Sequence, residues 1–90
     1  MEFYDIKTFN SSHLMVRAEE VFGYGQYLES WITKSEYKKL YSYSDYYVEI
    51  LYNNALKKIA DIRAIDLDTA VRSYVSNKHF ERELEAINAL

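Results

Sequence analysis

Residues 45–63 read DYYVEILYNNALKKIADIR and carry the strongest hydrophobic periodicity of the sequence. The apolar residues of this stretch recur at steps of three and four, a spacing typical of one face of an α-helix. They are Val48, Leu51, Tyr52, Ala55, Ile59 and Ile62. Further apolar residues widen the stripe beyond one face, as in a helix that is buried on several sides. With Ser44 as N-cap and Asp45 in the first turn, the stretch predicts a central helix.

Weaker helical spacing flanks this stretch. The segments that show it are 13–22, 26–32, 35–41 and 66–75. Ser11 and Ser12 offer an N-cap to the first of them, Gly23 offers it a C-cap, and either Asp66 or Asp68 could cap the last. The first segment also alternates at Leu14, Val16 and Ala18, so a strand is the alternative there. Residues 2–9 alternate weakly between apolar and polar side chains, as a short strand would.

From these elements we expect a mainly α-helical protein. Ninety residues fit a single domain over residues 1–90. We expect a small bundle of four to six helices packed around a central helix at residues 45–63. The alternative is an α+β fold, in which residues 2–32 form a small antiparallel sheet under the later helices.

The sequence carries no pattern typical of catalysis or metal binding. It has no cysteine, and its two histidines, His13 and His79, are far apart with no metal-ligand pairing. The Gly23–Gly25 segment lacks the third glycine of a dinucleotide-binding loop. We therefore expect no enzyme, no catalytic residue, no metal site and no cofactor. No apolar run approaches the roughly 18 residues that a membrane span needs, so we expect a cytoplasmic protein without membrane contact.

Tyrosine is unusually frequent in the composition, with 10 residues in 90. Tyrosine is enriched at protein interfaces because it offers a large contact area at low entropic cost. Six of the tyrosines lie between Tyr37 and Tyr52, with acidic segments on either side. The predicted partner-binding residues are Tyr37, Tyr43, Tyr46, Tyr47, Asp66, Asp68, Glu81 and Glu85, whereas Tyr41 and Tyr52 are expected inside the protein. This pattern favours a non-enzymatic inhibitor or regulator that binds a larger protein and occludes its surface.

In size and composition, the chain is similar to phage-encoded inhibitors of host nucleic-acid-handling or defence complexes, including anti-CRISPR proteins. The similarity lies in a short, acidic, cysteine-free chain with many aromatic residues. It implies a protein target in such a complex, and it is an analogy of composition alone.

The alternative function is nucleic-acid binding through the middle of the chain. Residues 31–60 hold five lysines against three acidic residues, a net charge of +2, although the whole chain carries −3. The lysines are Lys34, Lys38, Lys39, Lys57 and Lys58, and tyrosines that could stack on bases lie among them. We further expect a homodimer, because a chain this small has little core and its last apolar stripe is offset from the rest. That stripe comprises Phe80, Leu84, Ile87 and Leu90.

Overall fold

The computed structural model describes residues 2–32, 36–53 and 55–75 of the chain. Its helices are α1 (Ile6–Ser11), α2 (Leu14–Tyr24) and α3 (Leu67–Ala70), and a π-helical turn (Val71–Val75) follows α3. Its strands are β1 (Gln26–Ile32), β2 (Tyr37–Tyr43), β3 (Tyr46–Asn53) and β4 (Lys58–Ile65). The strands form one antiparallel sheet in the order β1-β2-β3-β4.

The predicted bundle around a helix at residues 45–63 is therefore wrong. This stretch forms β3, a turn and most of β4. In β3, Tyr46, Val48 and Ile50 are buried on one face of the sheet. The alternate residues Tyr47 and Leu51, on the other face, are half-buried. A strand that is covered on both faces has apolar residues at both even-numbered and odd-numbered positions. A continuous apolar stretch of this kind also matches helical spacing over a few residues.

Two turns interrupt the stretch where the helix was predicted. Ser44 and Asp45 form the two-residue loop between β2 and β3, and Ser44 has a positive φ of 55°. Tight hairpin loops favour such left-handed residues because their twist matches that of the flanking strands. Between β3 and β4, the side chain of Asn53 accepts a bond from the Leu56 N–H at 3.1 Å, and Lys57 has a φ of 53°.

The α+β alternative describes the fold better, but it places the sheet in the wrong part of the chain. The sheet comprises strands between residues 26 and 65, and only β1 falls within residues 2–32. Residues 2–9 contribute most of α1 instead of a strand. This helix begins where the Asp5 carboxylate accepts a bond from the Thr8 N–H at 2.7 Å. The short helices predicted at 26–32 and 35–41 are β1 and β2.

The predicted helix at 13–22 is confirmed as α2, although its caps differ from the prediction. Ser11 and Ser12 do not cap it, because their hydroxyls donate to the carbonyls of Lys7 and Thr8 within and beside α1. The C-cap is Gly25. Of the two candidate N-caps, Asp66 and Asp68, the structure confirms Asp66, since its carboxylate accepts from the Thr69 N–H at the start of α3.

The core lies between one face of the sheet and the two N-terminal helices. Phe9 of α1 and Val21 of α2 are fully buried against it. The buried sheet residues are Tyr43, Tyr46, Val48, Ile50, Ile62 and Ala64. The opposite face carries buried Leu40 and Glu49, and α3 contacts β3. Of the residues expected on the central helix, Val48 and Ile62 are in the core, whereas Ala55 is exposed.

Side chains close the outer edge of β4. The Asn10 side chain donates to the Ala64 carbonyl at 3.0 Å and accepts from the Ala64 N–H at 2.7 Å. At Ile62, Arg17 donates to the carbonyl and the Asp61 carboxylate accepts from the N–H. These bonds satisfy backbone groups that could otherwise hydrogen-bond to another strand.

Within the described residues, no helix is both long and apolar enough to cross a bilayer.

Candidate functional site on the aromatic sheet face

An aromatic patch covers the part of the core-side sheet face that lies beyond the two helices. We define it as Phe22, Tyr27, Tyr37, Tyr41 and Tyr52. The strand register places its members together, because Tyr27 pairs with Tyr41 across β1 and β2, and Tyr37 pairs with Tyr52 across β2 and β3. Phe22 reaches the patch from the end of α2. Phe22 and Tyr27 are about half exposed, at 51% and 50%.

The rings of the patch meet edge to face. Phe22 and Tyr27 both contact the Tyr41 ring, with centroids 6.0 and 5.7 Å from it. The rings of Tyr37 and Tyr52 lie 5.2 Å apart. Such pairs are stabilised by the opposite charge of ring edge and ring face, which fixes their orientation. The patch is therefore an ordered aromatic surface.

Lys39 lies between the two ring groups on β2. Its ammonium group is 5.8 Å from the centroid of the Tyr37 ring and 5.6 Å from that of Tyr52, within cation–π range. Burial raises the pKa of Tyr41, and the charge of Lys39 opposes that rise. The Tyr41 hydroxyl is therefore a neutral hydrogen-bonding group at physiological pH.

An open depression of about 270 Å³ adjoins the patch. Its lining residues are Tyr37, Lys39, Tyr52, Asn53 and Lys57. Two of these side chains are cationic and none is acidic, so the depression offers positive charge beside two aromatic rings. Lys57 reaches it from the turn before β4.

Tyr43 and Tyr46, two of the predicted partner-binding residues, lie in the core, with 1% and 5% of their surface exposed. The Tyr43 hydroxyl donates to Glu20 at 2.7 Å and accepts from the Tyr4 N–H at 3.2 Å. The Tyr46 hydroxyl donates to the Tyr4 carbonyl. Burial raises the pKa of both, that of Tyr43 to about 12 with help from its bond to Glu20. These tyrosines hold the N-terminal segment and are not on the surface where a partner would bind.

Among the remaining predicted partner residues, those that the structure describes are not brought together. Tyr37 belongs to the patch, but Tyr47 lies on the opposite face of the sheet, half-buried. Asp66 caps α3, and its bond to the Thr69 N–H lowers its pKa. Asp68 pairs with Arg72 at 2.9 Å. Glu81 and Glu85 lie outside the described residues.

The predicted basic cluster is likewise divided. Lys39 and Lys57 line the same depression, whereas Lys38 lies on the opposite face and pairs with Glu36 at 3.4 Å. Lys58 is exposed at the first position of β4. Lys34 lies outside the described residues. So do Phe80, Leu84, Ile87 and Leu90, on which the predicted dimer interface depended.

Sequence reasoning missed most of the patch. Tyr41 and Tyr52 were expected inside the protein, and both are half-buried at the margin of the core. The position of Tyr41 could have been found from the two-residue period of β2. This period places alternate residues on one face of a strand, here Tyr37, Lys39, Tyr41 and Tyr43. Phe22 had no such signal, because its position depends on how α2 packs on the sheet.

In the described residues, no three His, Asp or Glu side chains are grouped closely enough to hold a metal ion. Comparisons with protein-family models, curated proteins and solved structures found no match for this chain.

Proposed function

We propose that this protein is a non-enzymatic regulator that binds a larger protein through the aromatic patch and occludes part of its surface. The observation that carries the proposal is the ordered cluster of half-exposed rings on the open part of the sheet face. Contiguous apolar surface of this kind marks interaction sites, and tyrosines are frequent among residues that dominate binding energy.

The chemistry around the patch specifies the partner surface that fits it. The rings would cover an apolar surface, and their hydroxyls would bond to polar groups at its border. Lys39 and Lys57 stand at one side of the patch, so carboxylates on the partner at that side would increase the association rate and set orientation. The proposed target therefore presents an apolar centre with acidic residues next to it.

The test is quantitative capture of proteins from the native host on the immobilised chain, read by mass spectrometry. The patch variant is Phe22→Ala combined with Tyr27→Ala. The matched control is Tyr24→Ala, because Tyr24 is as exposed as Phe22, at 51%, but contacts Phe3 outside the patch. A target should be retained by the wild type and the control, and lost by the patch variant.

Circular dichroism must show that the patch variant keeps its strand and helix content. If that variant, correctly folded, captures the same proteins in the same amounts as the control, the proposal is wrong.

A second function, binding of single-stranded nucleic acid, is favoured by the depression beside the patch. Its two lysines can neutralise phosphates while Tyr37 and Tyr52 stack on bases. Binding of this kind weakens with salt, with a log–log slope of about −0.7 for each phosphate neutralised. Retention on single-stranded DNA or RNA that falls with salt, and that Lys39→Glu with Lys57→Glu abolishes, would support it. Lys38→Glu, on the opposite face, is the control.

A further inference from the structure

The two edges of the sheet differ in how the outward backbone groups are hydrogen-bonded. At the β4 edge, the Asn10, Arg17 and Asp61 side chains satisfy the backbone groups of Ile62 and Ala64. The β1 edge is the other end of the sheet, and its backbone groups determine whether another strand can pair there.

The strand register identifies which groups face outward. In an antiparallel sheet, the N–H and C=O of one residue point to the same side, and successive residues point to opposite sides. Ala64 uses both groups on Asn10, outside the sheet, so its pair Val48 directs its own groups toward β2. Val48 is opposite Tyr41, so Tyr41 bonds toward β3.

The same alternation extends to β1. Leu40 is next to Tyr41, so its N–H and C=O point to the other side, toward its pair Glu29 on β1. Ser30 and Ile32 therefore direct their N–H and C=O away from the sheet. Within residues 2–32, 36–53 and 55–75, no side chain bonds to the backbone of Ser30 or Ile32.

This edge also lacks the side chains that commonly block strand pairing. The chain has no proline, and β1 carries no lysine or arginine and only one charged residue, Glu29. Exposed apolar residues are present instead, and Ile32 has 68% of its surface exposed. The bulge between Tyr27 and Glu29 leaves residues 29–32 as the regular part of the strand.

We propose that β1 pairs antiparallel with β1 of a second copy of this chain, across a two-fold axis at Trp31. In this register Ser30 is opposite Ile32 of the partner subunit, and the reverse pair forms by symmetry. The two pairs would make four backbone hydrogen bonds and use every outward group of residues 29–32. The two sheets would join into one of eight strands.

Self-pairing fits this strand because the register opposes no like charges. Trp31 meets Trp31 of the partner subunit at a non-hydrogen-bonded position, where aromatic cross-strand pairs are stabilising. The two Glu29 carboxylates start from backbone positions about 13 Å apart along the strand, at roughly 3.3 Å per residue. A closed two-fold arrangement also covers this edge in both copies.

The first test measures molar mass by light scattering at high micromolar concentration. The wild type should give twice the 10.7 kDa of one chain. Ser30→Pro removes one outward N–H, which an edge strand tolerates, so it should stay folded and raise the dimer Kd by about tenfold or more. Ser30→Ala keeps the backbone and should remain a dimer. Ile32→Lys, at an exposed site, should weaken the dimer without affecting the fold.

The second test uses the absence of native cysteine. Trp31→Cys should form a disulfide between subunits under mild oxidation, because facing non-hydrogen-bonded positions bring the two sulfurs within reach. Lys38→Cys lies beside it on β2, away from the axis, and should stay uncrosslinked. A monomeric wild type, or a dimer that Ser30→Pro and Ile32→Lys leave unchanged, would overturn the proposal.

Discussion

The Asn10 side chain pairs with the Ala64 backbone in both directions, donating at 3.0 Å and accepting at 2.7 Å. A neighbouring strand would make the same two bonds to Ala64. One amide side chain on α1 therefore takes the place of a strand at the β4 edge and fixes this helix to the sheet.

Replacing Asn10 should destabilise the protein more than replacing an asparagine in a turn. Asn10→Ala leaves the N–H and carbonyl of Ala64 without these partners, at a cost of about 1–3 kcal/mol. Asn53→Ala removes one bond at an exposed turn and should cost about 0.5–1.5 kcal/mol at most. Urea denaturation measures both, and equal losses would contradict the role assigned to Asn10.

Tyr43 should make stability fall in alkaline solution. Its pKa is raised to about 12 in the folded protein, against about 10 in the unfolded chain, so folding favours the protonated hydroxyl. The contribution is fully present below about pH 10 and is lost as the pH rises from about 10 to 12. The free energy of unfolding, measured by urea denaturation across this range, should decrease.

The matched variants for this pH prediction are Tyr43→Phe and Tyr24→Phe. The first removes the buried hydroxyl of Tyr43 and should make the alkaline decrease smaller, whereas Tyr46, whose pKa burial also raises, still contributes to it. Tyr24→Phe is the control, because it removes a tyrosine hydroxyl at an exposed position on α2, outside the core. An unchanged profile in Tyr43→Phe would show that other groups cause the decrease.

Arg63 should contribute more to the stability of the fold than an ordinary surface arginine, because it bonds to the buried Glu49. Only 3% of the Glu49 surface is exposed, and Arg63 donates to it at 2.8 Å. Removing a bond to a buried charged group costs about 1.5–3 kcal/mol, and we expect this loss for Arg63→Ala. Arg72 pairs with Asp68 where both are exposed, so Arg72→Ala should cost less than about 1 kcal/mol.

Glu49→Gln provides the internal check on the Arg63 prediction. In the Arg63→Ala background it removes the buried charge, so it should recover part of the lost stability in thermal denaturation. If both arginine variants lose the same stability, the buried carboxylate does not depend on Arg63.

Two adjacent residues of β3, Ile50 and Leu51, should lose very different amounts of stability when each is replaced by alanine. Ile50 is fully buried in the core and Leu51 is half-buried on the other face. Ile50→Ala should cost about 2–5 kcal/mol, as for other core truncations. Leu51→Ala should cost clearly less. Chemical denaturation of the two variants tests the face alternation of the strand, and a larger loss at Leu51 would contradict it.

Local features, which depend only on neighbouring residues, could be predicted from the sequence. The apolar spacing of residues 13–22 predicted α2, since a helix is stabilised by contacts three and four residues apart. Asp66 was recognisable as a cap because its acceptor reaches an N–H only three residues away. The presence of apolar residues at both parities in residues 45–63 showed burial on more than one side.

That residues 45–63 form strands follows from how distant parts of the chain pair in three dimensions. Strand hydrogen bonds join residues distant in sequence, such as Val48 with Tyr41 and Ala64, so no local pattern specifies them. Which tyrosines are buried in the core also depends on this strand pairing. Tyr43 and Tyr46 flank the hairpin loop under α1, whereas Tyr37 and Tyr52 pair at the far end of the same two strands. Burial of a residue depends on what packs above it, and α1 and α2 cover one part of the sheet face only.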